Sequence, residues 1–403
     1  MWFVRLLAVG YTSRVTREQE THFSVQLAIL TICRLLLNIG LRITYPFLPA
    51  FARGLNVSLA EMARLVALRS LAGLLSPVFS PVAERFGRRT ALLLAMLVFS
   101  LGSLVVVARP GYWPLGITLI LIAVAKVIYD PAMQAYVGDV VPYAQRGRAI
   151  AITEFSWAGA LLLGAPFMGW VIQKQGWSAP FAWLAAGGLV GIGLLWLLMP
   201  PGRVALAQAN SLRRMIRVVR QYPIIWITAG YIFLIMAGNE VFLINYGNWI
   251  ETSFKLSLTS LGLAAGVIGS AEISGEIVAG LAVDRFGKRP IIITTGLLAS
   301  LFYLGLPYTS PSLPTALVTL FLLFFVLEIT IVGGIPLFTE LLPQARSVLL
   351  SFSLAAAGLG RVAGALLGPL VWNRLGLPGV GLTAALITLL GSFILIRYIK
   401  ESA

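Results

Sequence analysis

The chain has 403 residues, of which 59% are hydrophobic and 11% charged, at a mean hydropathy of +0.91. A water-soluble domain carries about 25% charged residues, so this composition excludes a soluble globular fold. Cys33 is the one cysteine and His22 the one histidine, which excludes an intrachain disulfide and a Cys/His metal cluster, weighs against an enzyme, and leads us to expect no cofactor and no metal.

Residues 1–22 read as a cytoplasmic segment in which Trp2, Phe3, Leu6 and Leu7 surround Arg5. No basic region precedes that apolar stretch, so a signal peptide is not expected. Apolar runs of roughly 17 to 25 residues are long enough to cross a bilayer as helices, and twelve are predicted: 25–48, 59–80, 90–107, 115–141, 149–172, 180–198, 223–244, 258–283, 290–307, 313–338, 348–371 and 378–398. The first six make an N-terminal bundle over 23–198, and the last six a C-terminal bundle over 223–403. Between them, 199–222 is a basic cytoplasmic linker whose Arg213, Arg214, Arg217 and Arg220 have helical spacing, predicting an amphipathic helix on the inner leaflet.

With both termini placed in the cytoplasm, 19 of the 30 basic residues fall on that side. The net charge of +15 therefore reports topology in a plasma membrane and contact with anionic lipid, and no nucleic-acid partner is needed to explain it. Trp113, Trp177, Trp226, Trp249 and Trp372 lie near the predicted helix ends, where interfacial anchors are expected.

One charged loop is written twice. Ser80, Glu84, Arg85, Phe86, Gly87, Arg88 and Arg89 return as Gly280, Asp284, Arg285, Phe286, Gly287, Lys288 and Arg289. Asp139, Pro142 and Arg146 are echoed by Glu340, Pro343 and Arg346, the run from Gly159 to Gly164 by that from Gly364 to Gly368, and Gly176 by Gly376. Internal symmetry on this scale is a mark of transporters built from repeated bundles.

The loop, together with twelve predicted helices and a basic central linker, resembles the major facilitator superfamily over essentially the whole chain. The family's loop between helices 2 and 3 reads approximately G-x-x-x-D-R-x-G-R-R/K. The second copy fits it through Gly280, Asp284, Arg285, Gly287, Lys288 and Arg289, while the first has Ser80 and Glu84 in place of glycine and aspartate. The resemblance implies an all-α fold of two pseudo-symmetric six-helix bundles and a cytoplasmic latch. In that latch Glu84, Arg85, Gly87, Arg88, Asp284, Arg285, Gly287 and Lys288 form the loops, and Asp139 and Glu340 face the loop cations. Gly159, Gly164, Pro166 and Gly169 loosely match the glycine and proline motif of the family's proton-coupled exporters, and ordinary helix packing explains them as well.

Charges at membrane depth face a cavity, a partner or a pathway. Arg34, Asn38 and Arg42 share one face of the first helix at four-residue intervals; Arg69 follows in the second, and Lys126 and Asp130 one turn apart in the fourth. The C-terminal half places Asn239, Glu240, Glu272, Glu276 and Glu328 at depth, with Arg361 as its deep cation. Arg34, Asn38, Arg42, Arg69, Lys126, Asp130, Asn239 and Arg361 are the candidates for lining a substrate cavity, and the cations among them suit an anionic group. Carboxylates away from water exchange protons near neutral pH; Glu240, Glu272 and Glu328 are the candidate proton carriers, and Glu276 and Glu154 a relay or gate. The alternative role for every one of these charges is a structural ion pair: Arg34, Arg42, Arg69 and Lys126 could equally neutralise Asp130 and the acids opposite, with Arg361 or Arg34 as partners of Glu240, Glu272 and Glu328. No phosphate-binding G-x-x-x-x-G-K-S/T loop is present. The expectation is a secondary transporter, functional as a monomer, exporting a small amphipathic or anionic compound against protons; uptake of an anionic solute, or a receptor or lipid scramblase on the same fold, are the alternatives.

Overall fold

A computed structural model describes residues 17–75, 86–141, 143–200 and 212–400, and all regular structure among them is helical. In order these are α1 (Arg17–Arg42), α2 (Thr44–Leu55), α3 (Leu59–Ser70) with a 3-10 turn (Leu71–Leu75), α4 (Arg88–Ala108), α5 (Tyr112–Val140), and α6 (Tyr143–Gly159) with a π turn (Ala160–Gly164). There follow α7 (Ala165–Gln175), α8 (Ala179–Leu198), α9 (Leu212–Gln221), α10 (Ile224–Phe254), α11 (Leu258–Phe286), α12 (Lys288–Thr309), α13 (Leu313–Leu341) and α14 (Arg346–Tyr398). Hydrocarbon offers no water to a backbone amide, so each spanning segment has to pair its own N–H and C=O groups. Ten helices among the described residues are long and apolar enough to span it.

Several predicted spans take a different form. The first, 25–48, is two helices, because Pro46 has no N–H for the carbonyl of Arg42 and the helix breaks at Ile43. Spans 348–371 and 378–398 both lie in α14, whose 53 residues would reach about 80 Å at 1.5 Å per residue, more than twice a hydrocarbon core of about 30 Å. The break between them is Gly376, at φ 61° and ψ −157°. Helix α10 continues to Phe254, past the predicted end at 244, through a polar turn containing Asn245, Asn248 and Glu251 that a hydropathy window rejects. The predicted span 59–80 lies partly outside the described residues, and residues 1–16 and 201–211 of the linker lie outside them.

The repeat is written into the backbone. Among the described residues the positive-φ positions form three pairs, each 199 or 200 residues apart: Asn56 (55°) with Lys255 (52°), Gly87 (87°) with Gly287 (88°), and Gly176 (97°) with Gly376 (61°). The serines that cap the next helix also correspond, Ser58 accepting from the Glu61 N–H and Ser257 from the Ser260 N–H.

Contacts divide the chain into two compact units. Unit 1 comprises Met1–Leu41, Leu75–Ala160 and Ser178–Ala207; unit 2 comprises Arg42–Leu74, Leu161–Trp177 and Gln208–Ala403. Two segments of the first repeat thus pack with the second. Inside unit 2, Gly247 of α10 lies against the carbonyls of Tyr45 and Pro46 in α2, and Gly262 of α11 against the carbonyl of Ala165 in α7, approaches that leave no room for a Cβ.

The two glycines of the complete loop copy should respond differently to substitution. Gly287→Ala forces a Cβ into the left-handed region and is expected to destabilise by about 1–2 kcal/mol. Gly280 is helical with open space around it, so Gly280→Ala should be neutral or slightly stabilising. Thermal unfolding of the two purified variants in one detergent checks the contrast.

Candidate functional site

In unit 1, α1, α5 and α6 bring four charges together. Arg34 donates from Nε to Asp130 Oδ1 at 3.1 Å and from Nη1 to the Thr153 carbonyl at 2.8 Å, and it lies 3.0 Å from Glu154 Oε2. Lys126 Nζ meets the other Asp130 oxygen at 2.7 Å and sits 5.7 Å from the Trp157 ring centroid. The i, i+4 spacing of Lys126 and Asp130 makes that pair possible on one helix. One turn above Arg34, Asn38 donates to Ser156 Oγ at 3.1 Å, and Ser156 in turn donates to the Thr153 carbonyl at 2.6 Å. Asn38 is wholly buried, and its Oδ1 accepts no hydrogen bond among the described residues.

In unit 2, Arg42 of the first repeat meets an acid of the second directly, and Arg69 does so through Tyr45. Arg42 grips Glu272 with two parallel bonds of 2.6 Å, both side chains buried. This planar fork on a carboxylate is the strong form of an ion pair. Thr44, Tyr45 and Arg69 build a second connection: Arg69 donates to Thr44 Oγ1 at 2.7 Å and to Tyr45 Oη at 3.1 Å, and Tyr45 donates to the Glu240 carboxylate, 3.1 Å from each oxygen. Because a guanidinium only donates, the single phenolic proton is directed at Glu240. Beside it Asn239 accepts from Tyr303 at 3.4 Å, and Arg361 lies 4.0 Å from Met236 Sδ while acting on Glu240 electrostatically. Glu328 is buried where α13 crosses Gly275 of α11, and Glu276 is half-buried one turn beyond Glu272.

Nearer the ends of these helices, Arg53 makes a two-pronged contact with Glu251 at 3.0 and 2.6 Å, and the carboxylate raises the arginine above its ordinary range. Gln173 of α7 accepts from the Thr259 N–H and hydroxyl at 3.1 and 2.7 Å, capping the first turn of α11.

The duplicated loops repeat their chemistry as well as their letters. Arg88 donates to Asp139 at 3.2 Å, and Lys288 to Glu340. Arg89 donates to the Trp196 carbonyl and stacks on its ring, and Arg289 donates to the carbonyls of Ile399 and Ile396 at 2.8 and 2.6 Å, so each closes the end of the last helix of its repeat. Arg285 lies over the Phe286 ring. Gly87 and Gly287 supply the turns. Glu84 and Arg85 lie outside the described residues, as does the side chain of Asp284.

The structure separates residues that sequence spacing had put on one face. Arg34 and Asn38 serve unit 1 and Arg42 serves unit 2, so Arg34, named as a partner for the C-terminal acids, is committed to Asp130 and Glu154 instead. Thr44, Tyr45, Arg53 and Glu251 were not anticipated. The signal for Tyr45 was its place three residues beyond Arg42, next to the helix-breaking Pro46. Among the described residues no group of three His, Cys, Asp or Glu side chains is placed to hold a metal ion.

Comparison with known proteins bears on the family and the fold. The sequence profile of the Major Facilitator Superfamily matches residues 30–246 and again 228–403. The uncharacterised MFS-type transporter YceJ of Bacillus subtilis (strain 168) is 24% identical over 321 residues, covering 79% of this chain and 82% of its own. A probable sugar efflux transporter of Pasteurella multocida (strain Pm70) is 28% identical over 343 residues, covering 81% and 80%. In fold, the chain is similar to a D-xylose-proton symporter at a TM-score of 0.78 and 16% identity, covering 94% of this chain and 98% of that one. It is similar also to a bacterial homologue of the human lysosomal transporter Spinster, at 0.74 and 14%, covering 96% and 100%. With its doubled profile match, its repeated loops and its helical membrane fold, the chain belongs to the major facilitator superfamily of transporters.

Proposed function

We propose that the chain is a proton-coupled secondary transporter that exports a small organic compound by alternating access, with Glu240 taking the coupling proton. The observation that carries this reading is the contrast between two buried acids. Protonating Glu272 would cost two charge-assisted bonds to Arg42, and an ion pair broken on one side in a medium without water leaves a bare charge. Glu240 is held by the neutral Tyr45 hydroxyl, from which the carbonyl oxygen of a protonated carboxyl still accepts, while Arg361 and Arg69 act on it electrostatically. Tyr45 and Arg69 come from the first repeat and Glu240 from the second, so a change of charge on Glu240 alters a connection between the repeats.

Export accords with the loose glycine and proline match in α6 and α7 and with the sugar efflux name of the Pasteurella relative; proton coupling accords with the symporter among the fold neighbours. For the cargo, the cations at depth favour an anionic or amphipathic compound. A second reading, a neutral hydroxylated compound of sugar type, is favoured by the unsatisfied carbonyl of Asn38, which would accept from a ligand hydroxyl. In orientation, we place the duplicated loops and both termini in the cytoplasm of a plasma-membrane protein, on the strength of the positive-inside bias.

Three measurements test this reading. In proteoliposomes, Glu240→Gln should keep substrate counterflow, which needs no net proton movement, and lose accumulation driven by an imposed pH gradient; normal accumulation by this variant would remove Glu240 from the coupling step. Glu272→Gln should instead destabilise by about 3–5 kcal/mol through the stranded Arg42, a loss largely recovered in the Arg42→Met/Glu272→Gln double variant, read as a thermal-unfolding cycle. A cysteine at the exposed Thr90, introduced with Cys33→Ala, should resist an impermeant thiol reagent in intact cells, and ready labelling would reverse the orientation.

A further inference from the structure

We infer that the end of unit 2 bearing α9 is a binding site for the headgroup of an anionic phospholipid. Between Glu154 and Glu240 the chain contains no acidic residue, while Lys174, Arg203, Arg213, Arg214, Arg217 and Arg220 all fall in that interval. The apolar side of α9 is occupied: Val219 is buried in one cluster with Ile225 at the start of α10, Ala345 after α13, and Ile399 after α14. Arg217 and Arg220 are exposed. Two more exposed cations border the same cluster, Arg346 directly after Ala345 and Lys400 directly after Ile399. The nearby acid Glu340 is engaged by Lys288.

Depth selects the ligand. Gln221 ends α9 and the spanning helix α10 begins at Ile224, so a connection of two non-helical residues, at most about 3.6 Å per step, keeps the last turn of α9 within about 11 Å of the start of that helix, at the level expected for lipid phosphates. Trp226, largely exposed, marks the same interface. Four cations beside the half-buried Val218, Tyr222 and Ile224 and the exposed Trp226 suit a phosphodiester whose acyl chains continue along the helices. A soluble anion would meet the charges and gain nothing from these apolar side chains.

The test is binding of fluorescent phosphatidylglycerol to the full chain in a neutral detergent. Each cation near a lipid phosphate contributes about fivefold in affinity, so the Arg217→Gln/Arg220→Gln variant should bind roughly 25-fold more weakly, with an unfolding midpoint in phosphatidylcholine equal to that of the parent. The corresponding double lysine variant, which keeps both charges, should bind nearly as well as the parent. An unchanged isotherm for the glutamine variant would overturn the proposal. So would displacement of the probe by inorganic phosphate, or by phosphatidylcholine, as effectively as by unlabelled phosphatidylglycerol.

Discussion

A charge inside a slab without water is tolerable only beside its opposite, and this single cost organises the interior of the protein. Unit 1 satisfies it locally, with Arg34 and Lys126 against Asp130 and Glu154. Unit 2 satisfies it between distant parts of the chain: Arg42 finds Glu272, Arg69 reaches Glu240 through Tyr45, and Arg53 finds Glu251. In each of these the cation belongs to the first repeat and the acid to the second. Segment 42–74, removed from the second repeat, would leave buried carboxylates behind, so its attachment is electrostatic as well as steric.

These connections differ in kind, and the difference bears on function. The Arg42–Glu272 fork is buried and two-pronged, which makes it strong and geometrically specific. The Arg53–Glu251 pair has a largely exposed arginine, so solvent and salt weaken it, and it contributes no more than about 1 kcal/mol. The third connection joins Arg69 to Glu240 through the neutral Tyr45 hydroxyl. Of the three, it is the one in which a hydroxyl, and not a cation, contacts the carboxylate.

Much of this architecture was legible in the letters. Hydropathy located the spans because burying backbone in lipid demands long apolar helices, and the duplicated loop located the pseudo-symmetry that the three positive-φ pairs express in the backbone. Which deep cation of the first repeat meets which acid of the second was not legible. Helical spacing fixes the azimuth of Arg34, Asn38 and Arg42 about their own axis, yet which neighbour each meets depends on the helices packed at its own level, and Arg42, the last residue of α1, meets Glu272 of α11. Tyr45 escaped notice because a phenol within an apolar run looks like packing, and Arg53 and Glu251 because both lie beyond the ends that hydropathy assigned.

The π turn at Ala160–Gly164 sets a register. A π turn holds one residue more than the α-helix it interrupts, and one residue is about 100° of rotation. That extra residue decides which face of α7 meets α11, where Gly169 lies against the carbonyl of Leu258 with no room for a side chain. Shortening the turn by one residue would leave composition and hydropathy nearly untouched while turning a bulkier side chain toward that carbonyl. In this helix, length is therefore as strictly constrained as residue identity, and single-residue deletions should be tolerated far less well than substitutions at the same positions.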